Sequence, residues 1–146
     1  MRGIILYIEQ EFWEVSMIQW KDEYLLGIEK IDEQHKRLFQ IAGDIYDLMK
    51  NQLITDKFDN ILKLISELKE YTIFHFSFEE EYMQSVGYRK YFSHKVEHAD
   101  FIEKINNVDM NKIDSDHEQY LIEMLDFVLN WISIHILETD RGYVTK

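Results

Sequence analysis

The chain has 146 residues, a formal net charge of −12 at pH 7 and no cysteine. The lack of cysteine excludes disulfides, thiolate metal sites and cysteine nucleophiles, and the acidic charge disfavours binding to nucleic-acid phosphates or anionic lipid. Hydrophobic residues make up 46% of the sequence, proline is absent and only 5 glycines occur, which favours one core built from a few long helices. We therefore expect a soluble, cytoplasmic protein without nucleic-acid or membrane contacts, and a monomer because of its charge.

The first sixteen residues carry apolar and aromatic side chains but no clear helix caps. Their apolar run is interrupted by Glu9 and Glu11 and is too short to span a bilayer, so we expect neither a membrane span nor a signal peptide. Residues 1–16 could be a short amphipathic segment packed on the domain, or an extension that precedes a physiological start at Met17. We treat residues 1–16 as an N-terminal extension without an assigned structure and residues 17–146 as the domain.

Four amphipathic helices follow, each recognised by apolar residues that recur every three or four positions. Their predicted ranges are 28–50, 56–85, 90–106 and 116–137. Gly27 and Gly87 mark turns, and Thr55 is a candidate N-cap of the second helix. Ser115, followed three residues later by Glu118, has the signature of a capping box before the fourth helix. Because the connections are short, the pattern predicts an all-α fold, an up-down-up-down four-helix bundle.

Every predicted helix carries at least one histidine on its apolar stripe. These histidines are His35, His75, His94, His98 and His135. One histidine on an apolar helix face is usually a hydrogen-bonded core residue. Five imidazoles directed at one bundle axis, however, would be costly to bury unless they bind something, and a metal cluster meets that need. The sixth histidine, His117, lies off the stripe in the first turn of the fourth helix, and we expect it on the surface.

Two of the helices carry pairs of potential ligands four residues apart. His75 and Glu79 share one face of the second helix, and His94 and His98 share one face of the third, so each pair could bind a metal. His135 and Asp140 are five residues apart, which leaves them about 140° out of phase on a regular α-helix. Asp140 could reach the site only from a distorted last turn or a local π-type widening. Otherwise it is a surface charge near the C-terminus.

The order and spacing of these residues resemble the hemerythrin family, and within it the single-domain bacterial members, the bacteriohemerythrins. The matching segments are GIEKIDEQHK at 27–36, HFSFEE at 75–80, HKVEH at 94–98 and WISIHILETD at 131–140. The resemblance extends over about residues 17–143. It implies a non-haem di-iron centre whose metal ligands are His35, His75, Glu79, His94, His98, His135 and Asp140.

The resemblance also divides the ligands between the two irons. One iron would be held by His94, His98 and His135, the other by His35 and His75, and both would be bridged by Glu79, Asp140 and an oxo or hydroxo group. With two roughly six-coordinate metals, one position stays open on the iron with two histidines, and dioxygen would bind there. The side chains expected around that position are Leu38, Phe76, Trp131 and Ile132, which are all apolar and would also serve as ordinary core residues.

By resemblance the function is reversible dioxygen binding, for carriage, storage, delivery or sensing, and not enzymatic turnover. A site rich in imidazole gives little support to high-valent iron, in contrast to the carboxylate-rich di-iron bundles. Two alternatives stay open. The first is a di-iron enzyme with peroxidase, nitric-oxide-reducing or ferroxidase-like activity, and the second is a protein that stores iron or holds zinc. Because this sequence shows no second domain to receive a signal, we expect storage or delivery before sensing.

Overall fold

Four long helices form the fold in a computed structural model that describes residues 19–51, 53–54 and 57–145. They are α1 (Glu29–Lys50), α2 (Lys57–Ser85), α3 (Tyr91–Asn106) and α4 (Glu118–Ile134). A π-helical turn, His135–Asp140, continues α4 into the short α5, Arg141–Thr145. No strand occurs among the described residues. The predicted all-α fold is confirmed, whereas residues 1–16, Met17 and Thr55, on which three of the predictions rest, lie outside the described part of the chain.

The positions of the histidines show that the helices alternate in direction. The histidines of α1 and α3 lie in the first half of their helices. The histidine of α2 lies in the second half of its helix, and His135 comes just after the end of α4. All of them meet at one level of the structure, so neighbouring helices must run antiparallel. The helices also close into a ring, because α1 packs on α2 and α4, α2 packs on α3, and the Phe101 ring of α3 stacks on Trp131 of α4. The result is the predicted up-down-up-down bundle.

Aliphatic side chains fill the half of the bundle away from the histidines. Ile45 of α1, Ile61 of α2 and Leu121 of α4 have no exposed surface. Burying a side chain of this size contributes roughly 1.5–3 kcal/mol. This apolar half therefore supplies the stability on which the polar half is built.

The turns agree with the sequence prediction at two positions and differ at one. Gly27 and Gly87 have φ angles of 85° and 66°, which place them in the left-handed region that glycine adopts at little cost. The capping box predicted at Ser115 is wrong. Asp114 accepts the backbone N–H of Asp116 at 2.9 Å, which closes a short 3-10 turn, and α4 begins only at Glu118 without a side-chain cap.

The segment Glu118–Val144 is long and apolar enough, by composition alone, to cross a membrane. In the structure 44% of its most apolar window is buried inside the bundle. The same segment carries the buried His135 and Asp140. Part of its apolar surface therefore packs inside the bundle, where Trp131 contacts Phe76 of α2 and Phe101 of α3.

The lead-in to α1 is fixed by Asp32, one turn before His35. Its carboxylate is 7% exposed and accepts the backbone N–H of Leu26 at 2.8 Å and that of Gly27 at 3.0 Å. Two donors are thus satisfied by one side chain, which holds the turn against the first helix.

Replacing Asp32 by alanine is expected to lower the free energy of unfolding by about 1–3 kcal/mol, because the N–H groups of Leu26 and Gly27 lose their acceptor. Urea denaturation of the metal-free protein measures the change. The matched control is Glu33→Ala, whose exposed carboxylate makes a weak 3.8 Å ion pair with Lys30 and should change stability by less than about 0.5 kcal/mol. Equal losses in the two variants would contradict the assigned role of Asp32.

Candidate metal centre

Seven buried residues direct nitrogen and oxygen atoms at one another at one end of the bundle. They form two overlapping groups, one of Glu79, His94, His98, His135 and Asp140, and one of His35, His75 and Glu79. Within each group the candidate ligand atoms lie within 4.8 Å of one another, and no member is more than 5% exposed. The structure thus brings together all seven positions that the sequence resemblance implied as ligands.

The larger group has the spacing of a coordination sphere. The Nε2 atom of His135 lies 2.9 Å from that of His94 and 3.1 Å from that of His98. Asp140 Oδ1 lies 3.0 Å from Nε2 of both His94 and His135, and Glu79 Oε1 lies 3.2 Å from Nε2 of His98. Adjacent ligands of one metal are about 3 Å apart when the metal–ligand bonds are about 2.1 Å. These five residues therefore fit a single ion.

The smaller group uses the other oxygens of the same two carboxylates. Glu79 Oε2 lies 3.0 Å from Nε2 of His75 and 3.2 Å from Nε2 of His35. Asp140 Oδ2 lies 3.2 Å from Nε2 of His35. Each carboxylate therefore offers one oxygen to the group with three histidines and one to the group with two. Each carboxylate could therefore hold two metal ions, one with each oxygen.

A bound cation is also what the unpaired polar atoms at this site require. Glu79 Oε1 and both Asp140 oxygens are fully buried, and none makes a well-aligned hydrogen bond within the described residues, although imidazole nitrogens lie close to each of them. Where two imidazole Nε2 atoms face each other at 2.9 Å, at least one nitrogen must present a lone pair. Buried groups of this kind are costly when unsatisfied. The donor set therefore fits a pair of metal ions.

Asp140 reaches the centre through the π-helical turn. The segment His135–Asp140 is wider than an α-helical turn, so residues five apart come onto one face. The carboxylate of Asp140 has no exposed surface. The prediction of a π-type widening is confirmed, and the alternative of a surface charge is wrong.

Three outer imidazole nitrogens are held by side chains that the sequence analysis did not identify. The Nδ1 contacts are His75 to Gln34 at 2.7 Å, His98 to Glu80 at 3.0 Å and His135 to Glu97 at 3.1 Å. Each of the three partners immediately precedes or follows a candidate ligand in the sequence. The sequence therefore marks these partners only by their position next to a candidate ligand. Because consecutive residues on a helix are turned by about 100° from each other, the packing of the helices is needed to show which imidazole each partner contacts.

Tyr143 supports the shared carboxylate. Its hydroxyl donates to Glu79 Oε2 at 3.2 Å, and its ring is 1% exposed and stacks on His94. Burial and the nearby carboxylates raise the pKa of Tyr143 far above its usual value, so the hydroxyl keeps its proton. Tyr143 is thus a permanent hydrogen-bond donor to Glu79.

Phe76 and Trp131, two of the four apolar residues predicted around the dioxygen position, lie directly on the candidate ligands. The Phe76 ring stacks on His98 with centroids 3.8 Å apart, and Trp131 stacks on His135 at 4.3 Å. Leu38 and Ile132 are buried in the core at 1% and 3% exposure. That these four side chains line a dioxygen site stays a prediction.

In the metal-free protein, some of the imidazoles at this site are protonated at neutral pH. Burial lowers the pKa of His35 and His94, but the adjacent carboxylates of Asp140 and Glu79 outweigh it and raise both values to about 9. Burial dominates at His75 and lowers its pKa. Burial acts to raise the pKa of Glu79, but the neighbouring imidazoles of His75, His35 and His94 hold it well below its usual value.

Metal loading is therefore expected to release protons. A protonated imidazole cannot bind a metal, and His35 and His94 are protonated in the metal-free protein below about pH 9. Affinity should fall as the pH is lowered from 9 to 6, and loading at pH 7 should release up to two protons from this pair. Calorimetry in buffers of different ionisation enthalpy counts them. Affinity that does not change with pH would contradict the expectation.

Comparisons with known proteins agree with this geometry. Residues 26–146 match the hemerythrin HHE cation binding domain. The chain is 53% identical to a bacteriohemerythrin of Clostridium acetobutylicum over 88% of this chain and 99% of that protein. It is 31% identical both to a bacteriohemerythrin of Pseudomonas aeruginosa, over 89% of this chain and 81% of that protein, and to a myohemerythrin of Theromyzon tessulatum, over 88% and 92%. The chain belongs to the hemerythrin family and resembles its single-domain bacterial members over most of their length.

Proposed function

We propose that the seven buried residues hold two iron ions and that this centre binds dioxygen reversibly. One observation carries the proposal. Glu79 and Asp140 each place one oxygen against the group of three histidines and the other against the group of two. Two carboxylates that each present one oxygen to either side suit a pair of ions about 3.5–4 Å apart, and a single ion would not require this arrangement.

The donor set and the family together indicate iron. Imidazole and carboxylate suit iron, zinc, copper and nickel, and the chain has no cysteine to favour softer ions. Among these choices, membership in the hemerythrin family indicates a di-iron centre. When bound, two ferrous ions supply the two electrons that dioxygen takes up reversibly.

The two groups of candidate ligands differ by one imidazole donor, and this difference leaves a position at which dioxygen can bind. Glu79 belongs to both groups and Asp140 Oδ2 also lies 3.2 Å from His35, but one group has three imidazoles and the other has His35 and His75. With six positions at each metal, the smaller group leaves one more position unfilled by the protein. Dioxygen is therefore proposed to bind on the side of His35 and His75.

The surrounding side chains favour binding over turnover. Phe76 and Trp131 cover two of the imidazoles, and the seven ligands are almost completely buried, which limits the entry of water and anions. Tyr143 keeps its proton and holds Glu79 in place. Five imidazoles to two carboxylates also form a donor set that gives little support to high-valent iron. The proposed role is therefore storage or delivery of dioxygen, with no reaction product.

The remaining assignments follow from charge and composition. The net charge of −12 opposes self-association and contact with anionic surfaces, so we propose a monomer that acts in the cytoplasm, with dioxygen as its ligand. We also propose residues 17–146 as the domain and residues 1–16 as an extension to it.

A cycle of oxygenation and degassing tests the proposed function. The metal-free protein is loaded with ferrous iron under anaerobic conditions and then exposed to air while its visible spectrum is recorded. The expected result is a colour that appears with air, disappears on degassing and returns over several cycles. Rapid one-way conversion to ferric iron with turnover of a substrate would point to a di-iron enzyme. A protein that holds iron and does not respond to oxygen would instead be a store.

A further inference from the structure

The hydrogen-bond partners of the outer imidazole nitrogens differ in charge between the two metal positions. In the group of three histidines, Nδ1 of His98 faces the carboxylate of Glu80 and Nδ1 of His135 faces that of Glu97. In the group of two, His75 faces the neutral amide oxygen of Gln34. The Nδ1 atoms of the remaining two histidines are buried without a partner among the described residues. Negative partners are thus found on one side of the centre only.

This difference matters because a partner at Nδ1 changes how strongly Nε2 donates to a metal. When Nε2 is a ligand, Nδ1 carries the proton and donates it to its partner. A carboxylate accepts that bond more strongly than an amide does and pushes electron density onto the ring. A more electron-rich imidazole stabilises the more highly charged state of its metal. The partner's charge therefore biases the metal towards the ferric state.

We propose that Glu80 and Glu97 make the metal position of His94, His98 and His135 the more easily oxidised of the two, while Gln34 keeps the other position ferrous. The inference rests on the proposed pair of irons and deepens it, because it states which iron gives up its electron first. The iron with the open position would then stay ferrous when the first electron is lost. Glu80, Glu97 and Gln34 are positioning residues, since each acts through a histidine.

The surroundings of the two carboxylates predict which of them has the larger effect. Glu80 is 18% exposed, and Lys95 Nζ lies 3.9 Å from its Oε1, which is a weak ion pair. Glu97 is 49% exposed and shares the same oxygen with the hydroxyl of Thr139 at 3.1 Å. Water screens an exposed charge more than a shielded one. Glu80 should therefore act more strongly on its imidazole than Glu97.

The test measures the reduction potentials of the iron-loaded protein by spectroelectrochemical titration. Glu80→Gln is expected to shift the equilibrium of the first one-electron oxidation about tenfold towards the ferrous form. This corresponds to a rise of about 59 mV in the reduction potential of that step. Glu97→Gln should shift it in the same direction by less. Gln34→Glu should ease oxidation of the other iron, so that the two one-electron steps move closer together and the half-oxidised signal in electron paramagnetic resonance weakens.

The matched control is Glu81→Gln, which removes one charge from an exposed position of the same helix turn without touching an imidazole. A shift in Glu80→Gln no larger than that in Glu81→Gln would overturn the inference, as would wider separation of the steps in Gln34→Glu. If Glu80→Gln does not fold or load iron, the reduction potentials of Glu97→Gln and Gln34→Glu test the inference instead.

The same samples separate this inference from the proposed function. Iron content and reversible dioxygen uptake are measured beside the potentials. A wild-type protein with two irons and no reversible uptake would contradict the proposed function and leave the comparison of potentials valid. Reversible uptake with unchanged potentials in all three variants would overturn the inference alone. A wild-type protein that holds fewer than two irons would overturn both.

Discussion

Replacing His75 by alanine is expected to abolish stable loading of the iron pair and, with it, dioxygen binding. The group that contains His75 has only one other histidine, His35, so half of its imidazoles are lost. The change also leaves Glu79 Oε2 without its 3.0 Å neighbour and Gln34 without its 2.7 Å contact. Loss of a partner outside the ligand set typically costs 10–100-fold in metal affinity, and loss of a ligand should cost more. Iron content after gel filtration and the oxygenated spectrum measure the effect.

His117→Ala is the control for that experiment. His117 is about half exposed and bonds to Asp114 in its own turn, at 2.8 Å, which agrees with its predicted position on the surface. Its loss should leave iron content and dioxygen binding unchanged. Reduced binding in His117→Ala, or full loading in His75→Ala, would mean that the ligand set is wrong.

Replacing Asp140 by alanine is expected to reduce the stable iron content to one ion or fewer per chain. Asp140 places one oxygen 3.0 Å from His94 and His135 and the other 3.2 Å from His35, so its removal takes a donor from both positions. Only Glu79 would remain to connect the two ions. Helical content of the metal-free protein should be retained, because the aliphatic half of the bundle is untouched. Elemental analysis and circular dichroism measure the two quantities on one sample.

Glu138→Ala provides a control within the same π-helical turn. Glu138 is exposed, whereas Asp140 is fully buried, so the control removes an equal charge from the same segment without removing a donor. Its iron content should equal that of the unaltered chain. Equal iron loss in the two variants would show that the turn, and not the Asp140 carboxylate, determines loading.

The sequence predicts what depends on local spacing. His75 and Glu79, and likewise His94 and His98, are four residues apart, and a helix brings such residues together whatever surrounds it. The apolar stripes fix the helices and their inward faces for the same reason. Asp140 is an intermediate case, because its spacing fits the site only if the helix widens, and the structure shows that it does.

The sequence could not identify what depends on packing between helices. Glu80 is turned away from the face of His75 on its own helix, yet it meets His98 of α3 because that helix lies beside it. Glu97 likewise supports His135 of the π-helical turn that follows α4. At Ser115 the prediction failed for a local reason, since Asp114 is also an effective capping residue and takes the backbone N–H of Asp116 first.

The central claim is that one centre of two irons binds one dioxygen reversibly, and an equilibrium binding isotherm with a parallel iron count tests it most directly. The ferrous protein is titrated with dissolved oxygen, uptake is followed by the oxygenated spectrum, and iron is measured on the same sample. The account predicts one dioxygen bound for every two irons, with full release under vacuum and the same curve on a second titration. Uptake of one dioxygen per iron, or uptake that vacuum does not reverse, would contradict it.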